Sequence, residues 1–149
     1  MLNMLRIRCS ALTCVIVGLI CAPGCGKKGP SLAPVVGTIR YEGKPVGGAS
    51  VSFVPSDPKL RAATAITDDQ GNYRLETLGF GEGAIVGKHR VSVALRTPTP
   101  PVKDLKTPRQ IGKPLLPAKY FNPDKSGLSA EVTATGENRF DFDLSGPIQ

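Results

Sequence analysis

The sequence predicts an all-β fold, a seven-stranded antiparallel β-sandwich. Three observations predict it. Short runs in which apolar and polar residues alternate recur from residue 35 onward, separated by Gly-, Pro- and Asp-bearing turns. No stretch after residue 34 carries a helical apolar period. Gly (17) and Pro (14) are both frequent, as many tight turns require. Strands at this spacing without helices form sandwiches or barrels, and alternation gives each sheet one dry face and one wet face.

The runs follow in order. "VVGTIRY" (35–41) places Val35, Gly37, Ile39 and Tyr41 on one face. "EGKPVGG" is a turn. "ASVSFV" (49–54) turns Ala49, Val51 and Phe53 inward and Ser50 and Ser52 outward. "AATAIT" (62–67) is a short strand whose facing stays open. "NYRLET" (72–77) turns Tyr73 and Leu75 inward. "HRVSVAL" (89–95) does the same with Val91, Val93 and Leu95, and His89 shares their parity. "LSAEVTA" (128–134) offers Leu128, Ala130, Val132 and Ala134. "NRFDFDL" (138–144) offers Phe140, Phe142 and Leu144, which leaves Asp141 and Asp143 facing water.

One segment interrupts this rhythm. Residues 96–119 hold six prolines, and between Lys103 and Lys113 four basic residues, Lys103, Lys106, Arg109 and Lys113, with Asp104 as the segment's one acid. Proline lacks the N–H that a ladder needs, so no central strand fits here. The segment reads as a long crossover loop, and loops of this length are commonly functional.

The first residues explain the four cysteines. Arg6 and Arg8 precede an apolar run of 12 residues, Ala11 to Ala22, which Pro23, Gly24, Lys27 and Lys28 then end. That is the form of a signal peptide, and it is too short for a membrane span, which needs about 20 residues. Cys9, Cys14 and Cys21 follow Arg8, Thr13 and Ile20. Cys25 follows Gly24, and "APGC" resembles a lipobox, with Ala22 and Pro23 where Leu and Ala or Ser are commoner. The resemblance implies cleavage before Cys25 and a diacylglyceryl group on its thiol. A secretory peptidase cutting after Ala22-Pro23-Gly24 would instead leave Cys25 as an unmodified first residue. The expected organisation is a leader (1–24), a tether (25–34), a sandwich domain (35–145) containing the long loop (96–119), and a tail (146–149). From Cys25 onward the chain carries 17 basic and 12 acidic residues, a charge of +5. It then holds one Cys and one His, too few for a familiar zinc site.

Several motifs resemble a known family. "VVGTIRYEGKPVGGASVSFVP", "TDDQGNYRLET" and "GEGAIVGKHRVSV" occur in the order found in carboxypeptidase regulatory-like domains, also called transthyretin-like or prealbumin-like, with Val86 and His89 where Pro and Tyr are usual. The stretch 117–144 is similar to small lipoproteins of planctomycete type. The match spans most of residues 35–144. It implies an exported, lipid-anchored, non-catalytic module with an Ig-like Greek-key sandwich. Some transthyretin-like proteins hydrolyse a purine breakdown product with His and Arg residues and a C-terminal Tyr-Arg-Gly-Ser. This chain has one His and ends "DLSGPIQ", so that activity does not carry over.

Other chemistries meet specific obstacles. "TDDQGN" (67–72) has acids and a Gly, but an EF-type calcium loop counted from Asp68 would need Glu where Gly79 stands. It reads as a tight Asx turn. "GEGAIVGK" (81–88) is one residue short of a phosphate-binding loop and leads into a strand. Asp141 and Asp143 would lie about 7 Å apart on one strand face, but a general acid also needs a pocket that shifts one pKa. Serine nucleophiles lack a G-x-S-x-G elbow. Nucleic-acid binding is not expected, because neither a recognition helix nor exposed aromatics accompany the charge. With no Trp, only Tyr120 and Phe121 remain as carbohydrate platforms.

The expected protein is therefore an exported lipoprotein held to the membrane through Cys25, with no cofactor and no metal. Its expected role is structural or protein-binding in the cell envelope. Partner contact, with an envelope protein or an anionic polysaccharide, is expected through Lys103, Lys106, Arg109, Lys113 and Tyr120. An apolar loop surface at Ile111, Leu115 and Leu116 would favour such docking. A small-ligand or glycan-binding lipoprotein is the alternative and a hydrolase the last. Gly26 after Cys25, with no Asp there, points by analogy to the outer membrane, facing the periplasm or the cell surface.

Overall fold

The computed structural model describes residues 30–99 and 111–148. The leader 1–24, Cys25, most of the tether, and Lys103, Lys106 and Arg109 lie outside them. The described chain is an all-β sandwich with one short 3-10 helix, Ala118–Phe121. Its strand segments are β1 (Leu32–Ala33), β2 (Val35–Tyr41), β3 (Lys44–Pro45), β4 (Ser50–Pro55), β5 (Ala63–Ile66), β6 (Asn72–Arg74), β7 (Glu76–Thr77), β8 (Gly81–Glu82), β9 (Ala84–Ile85), β10 (Gly87–Ala94), β11 (Leu128–Val132), β12 (Asn138–Arg139) and β13 (Phe142–Leu144). All seven expected runs hold strands. Two of them are split, and four shorter segments lie between or before them.

The larger sheet runs β11-β10-β4-β5-β7-β8 and is antiparallel throughout. The smaller sheet is built on β2. Strands β3 and β6 pair antiparallel along one edge of it, and β12 and β13 pair along the other. A short β1–β9 pair closes the corner between the sheets.

The splits have physical causes. Run 72–77 changes sheets at Leu75: β6 pairs with β2, while β7 pairs with β5. The Leu75 N–H donates to Val35 O and its carbonyl accepts from the Gly83 N–H, so one residue serves both layers. Run 138–144 departs from the antiparallel expectation, because β12 and β13 lie parallel to β2. Alternation has the same period in both kinds of ladder, so it does not reveal strand direction. The ladder opens at Phe140, whose carbonyl accepts from the Tyr73 hydroxyl at 2.7 Å. Gly37 makes this possible, since a Cβ there would run into that carbonyl.

The expected inward faces hold at Ala49, Val51, Phe53, Tyr73, Leu75, Val91, Val93, Ala130, Val132 and Leu144, all buried. Run 62–67 turns Ala63 and Thr67 inward and leaves Thr64 and Ile66 exposed. Ala134 is exposed, contrary to the alternation, because β11 ends at Val132 and a turn follows, in which the Asn138 side chain accepts the Thr133 N–H. Tyr41, Leu95, Leu128, Phe140 and Phe142 are half-buried and pack on the core margin.

Phe53 is the centre of the core. Its ring lies 6.2 Å from Tyr73, 5.9 Å from His89, 5.9 Å from Phe140 and 6.3 Å from Phe142. Tilted and edge contacts of this kind add to the area term. They tie β4 and β10 of one sheet to β6, β13 and the opened ladder of the other. His89 is buried as part of this cluster, where the family resemblance implied an aromatic. Its Nε2–H donates to Ile85 O at 2.6 Å. Its Nδ1 has no partner among the described residues.

Strand direction sorts the loops between two ends. The chain enters β1 and β2 at one end, together with the 56–62 loop, the 78–80 turn and the 133–137 turn. The turn at Glu42–Gly43, the turn at Asp68–Gly71, both arms of the 96–119 loop and the C-terminal residues lie at the other end. These placements follow from the registers Val36↔Arg74, Ala63↔Thr77, His89↔Pro55 and Asn138↔Val35. The eight residues of β10 span about 26 Å between the ends.

Candidate functional site

The described parts of the long loop form a paired neck. Beyond Ala94 the chain continues the line of β10, and 95–97 pairs with 113–115. Thr97 N–H donates to Lys113 O and Leu115 N–H to Leu95 O, both at 2.9 Å. The Lys113 N–H donates to Thr97 Oγ1 at 2.9 Å. Arg96 and Pro114 face each other across a bridge, where the missing proline N–H leaves no gap in the bonding. Gly112 is required by contact, because a Cβ there would meet Thr97 O.

The neck is pinned to the body. Leu116 is fully buried in the core. The helix that follows buries Tyr120, whose hydroxyl accepts the Ser145 N–H at 3.0 Å and lies 3.1 Å from Ser145 O as donor. Burial pushes that phenol up, but the Ser145 bonds and the Lys119 ammonium outweigh it and hold it below its usual pKa.

These positions correct the reading of the loop. Tyr120 is a clamp on the C-terminal residues rather than an exposed contact, and Leu116 is core rather than loop surface. Lys113 is exposed at the neck, and so are Ile111 and Leu115. Phe121 is half-buried beneath the Arg96 guanidinium, 4.6 Å from the ring centroid, and Lys119 lies 4.7 Å over Tyr120. Both rings considered as carbohydrate platforms are therefore occupied. Arg96 and Lys119 bring the basic surface down to the root of the loop. Both lie outside the Lys103–Lys113 cluster that the sequence marks as basic. The leaning of cations on rings depends on the fold.

The outer face of the smaller sheet carries the other polar cluster. Thr38 Oγ1 donates to Asp141 Oδ1 at 2.6 Å, and Arg139 Nε donates to Asp141 Oδ2 at 3.1 Å. The Thr38 hydroxyl, helped by Arg139, holds Asp141 below the usual carboxylate range. Asp143 accepts the Gly43 N–H at 3.1 Å. Both acids face outward as expected, and Asp141 is shifted opposite to the direction that a general acid needs. Thr38, Arg40, Arg139, Asp141 and Asp143 line a depression of about 240 Å³.

Asp68 occupies the expected Asx turn. Its carboxylate accepts the N–H groups of Gln70 and Asn72 at 2.9 and 2.8 Å, and the Asn72 amide at 3.2 Å. These bonds, Asn72's first, hold its pKa down. Residues 81–88 run through β8, β9 and the start of β10, with no helix N-terminus to face a phosphate. Among the described residues no group of three or more His, Cys, Asp or Glu converges on a metal position.

The class of protein that the described residues define is an all-β sandwich with a paired neck at the two roots of a Pro-rich, basic segment. Comparisons with protein-family models, curated proteins and solved structures find no match.

Proposed function

We propose that the protein is an exported, lipid-anchored β-sandwich module with a structural or protein-binding role in the cell envelope, and that it is non-catalytic. The resemblance to carboxypeptidase regulatory-like lipoproteins and the lipobox-like "APGC" support this reading. One observation carries it: the chain enters the sandwich at one end, and the neck of the basic loop leaves from the other. A module anchored at Cys25 would therefore hold the neck of that loop, with Lys113, on the side turned away from its anchor. The cations that the sequence clusters between the two arms of that neck suit an anionic surface on an envelope protein or polysaccharide. Anchoring would be in the outer membrane, given Gly26 after Cys25.

Crosslinking and pull-down from intact envelopes test the loop. Wild type is compared with a variant in which Lys103, Lys106, Arg109 and Lys113 are all changed to Ser. The expected result is loss of one or more partners. An unchanged partner list would overturn loop docking. Incorporation of radioactive fatty acid tests the anchor, with label expected in wild type and absent from Cys25→Ala.

A further inference from the structure

The end at which the chain enters carries a feature that docking at the opposite end does not use. The β7–β8 turn, Leu78-Gly79-Phe80, raises two large apolar side chains into solvent, Leu78 at 74% exposure and Phe80 at 48%. A glycine at positive φ stands between them and another follows, at Gly79 and Gly81, so the tip is tight and its side chains splay outward. The 56–61 loop emerges beside this turn, because Ala63 is registered with Thr77. It brings Lys59 and Arg61, both exposed. Of the acids near the turn, Asp57 accepts the Lys59 N–H at 2.9 Å and Glu82 lies 3.6 Å from Arg74, while Glu76 is exposed at the start of β7.

Pro30, at this same end, is five residues after Cys25. A chain of that length reaches at most about 18 Å. An anchored module would thus keep this end near the bilayer whatever the tether's conformation. Lys27 and Lys28 lie within that short stretch. Exposed aliphatic and aromatic side chains with cations beside them are a composition that enters the headgroup region of a membrane. Cations beside them favour anionic lipid.

We infer that this end is a lipid-facing surface on which Leu78 and Phe80 insert into the membrane interface while Lys59 and Arg61 meet anionic headgroups. The inference rests on lipid anchoring at Cys25. It adds that the domain itself touches the bilayer and so has a set orientation upon it.

The chain contains no Trp, so an introduced indole is a unique reporter. The lipidated mature protein is reconstituted into phosphatidylethanolamine–phosphatidylglycerol vesicles as the F80W, L78W and I148W variants. Ile148 belongs to the opposite end. The expected result is a blue shift of F80W and L78W emission on reconstitution, with loss of intensity when the acyl chains are brominated, and neither change in I148W. If F80W and L78W respond like I148W while the protein floats with the vesicles, the inference is overturned and anchoring stands. If the indoles are shielded from a soluble quencher but not quenched by brominated lipid, a protein surface covers the turn, and the inference is equally overturned. If wild type floats no better than Cys25→Ala, the anchoring reading itself fails and takes this inference with it.

Discussion

Tyr73 joins the two flanks of the smaller sheet across β2 through one hydroxyl, which donates to the Phe140 carbonyl in the gap that Gly37 leaves open. Burial, with the Asp141 charge adding, raises its pKa above the ordinary phenol value of about 10. The neutral phenol is therefore the form that fits the fold. The unfolded chain ionises first, so this group's contribution is intact below about pH 10 and declines as pH rises above it. Tyr73→Phe should cost about 1 kcal/mol at pH 7 through the lost bond, and should flatten the loss of stability between pH 9 and pH 11. Urea unfolding at both ends of that range measures it, and an unchanged alkaline slope would refute the assignment. Thr67 shows the same economy: its buried hydroxyl accepts the Ala49 N–H at 2.8 Å and donates to Val46 O at 2.7 Å. The inward parity of Tyr73 was legible in "NYRLET". The partners of its hydroxyl were not, because Phe140 is 67 residues away.

At the scale of elements, the neck changes what the loop is. Proline density marked 96–119 as irregular, yet Leu95–Thr97 and Lys113–Leu115 pair, and Leu116 anchors the return strand in the core. Local pattern missed this because Pro114 interrupts the alternation while occupying a bridge position that needs no N–H. Leu116→Ala should cost about 3 kcal/mol and free the helix that follows. Tryptic cleavage at Lys119 should then accelerate. Lost stability with unchanged cleavage would show that the helix is held by Tyr120 alone. The seven strand runs were legible because alternation is local. Their assignment to sheets was not, since run 72–77 divides between both layers at Leu75 and run 138–144 pairs parallel to β2.

The sandwich is organised around Phe53, the one ring among the described residues that contacts aromatic neighbours in both sheets. Phe53→Ala should cost roughly 3–5 kcal/mol, against a typical domain stability of about 5–15 kcal/mol. Calorimetry should show a much weakened cooperative transition. A wild-type transition would mean that the four surrounding rings close the core unaided. By its local pattern the chain already specified β structure, most of its inward residues, the Asx turn at Asp68 and the outward Asp141 and Asp143. Each of these depends on neighbours within a few positions, where alternation and turn chemistry act. Tertiary structure decided the parallel pairing of the last run, the burial of Tyr120 and Leu116, the cations resting on Phe121 and Tyr120, and the separation of the Leu78–Phe80 turn from the loop neck at opposite ends. Those features depend on which distant segments meet, and a period of two residues is the same whichever partner a strand finds.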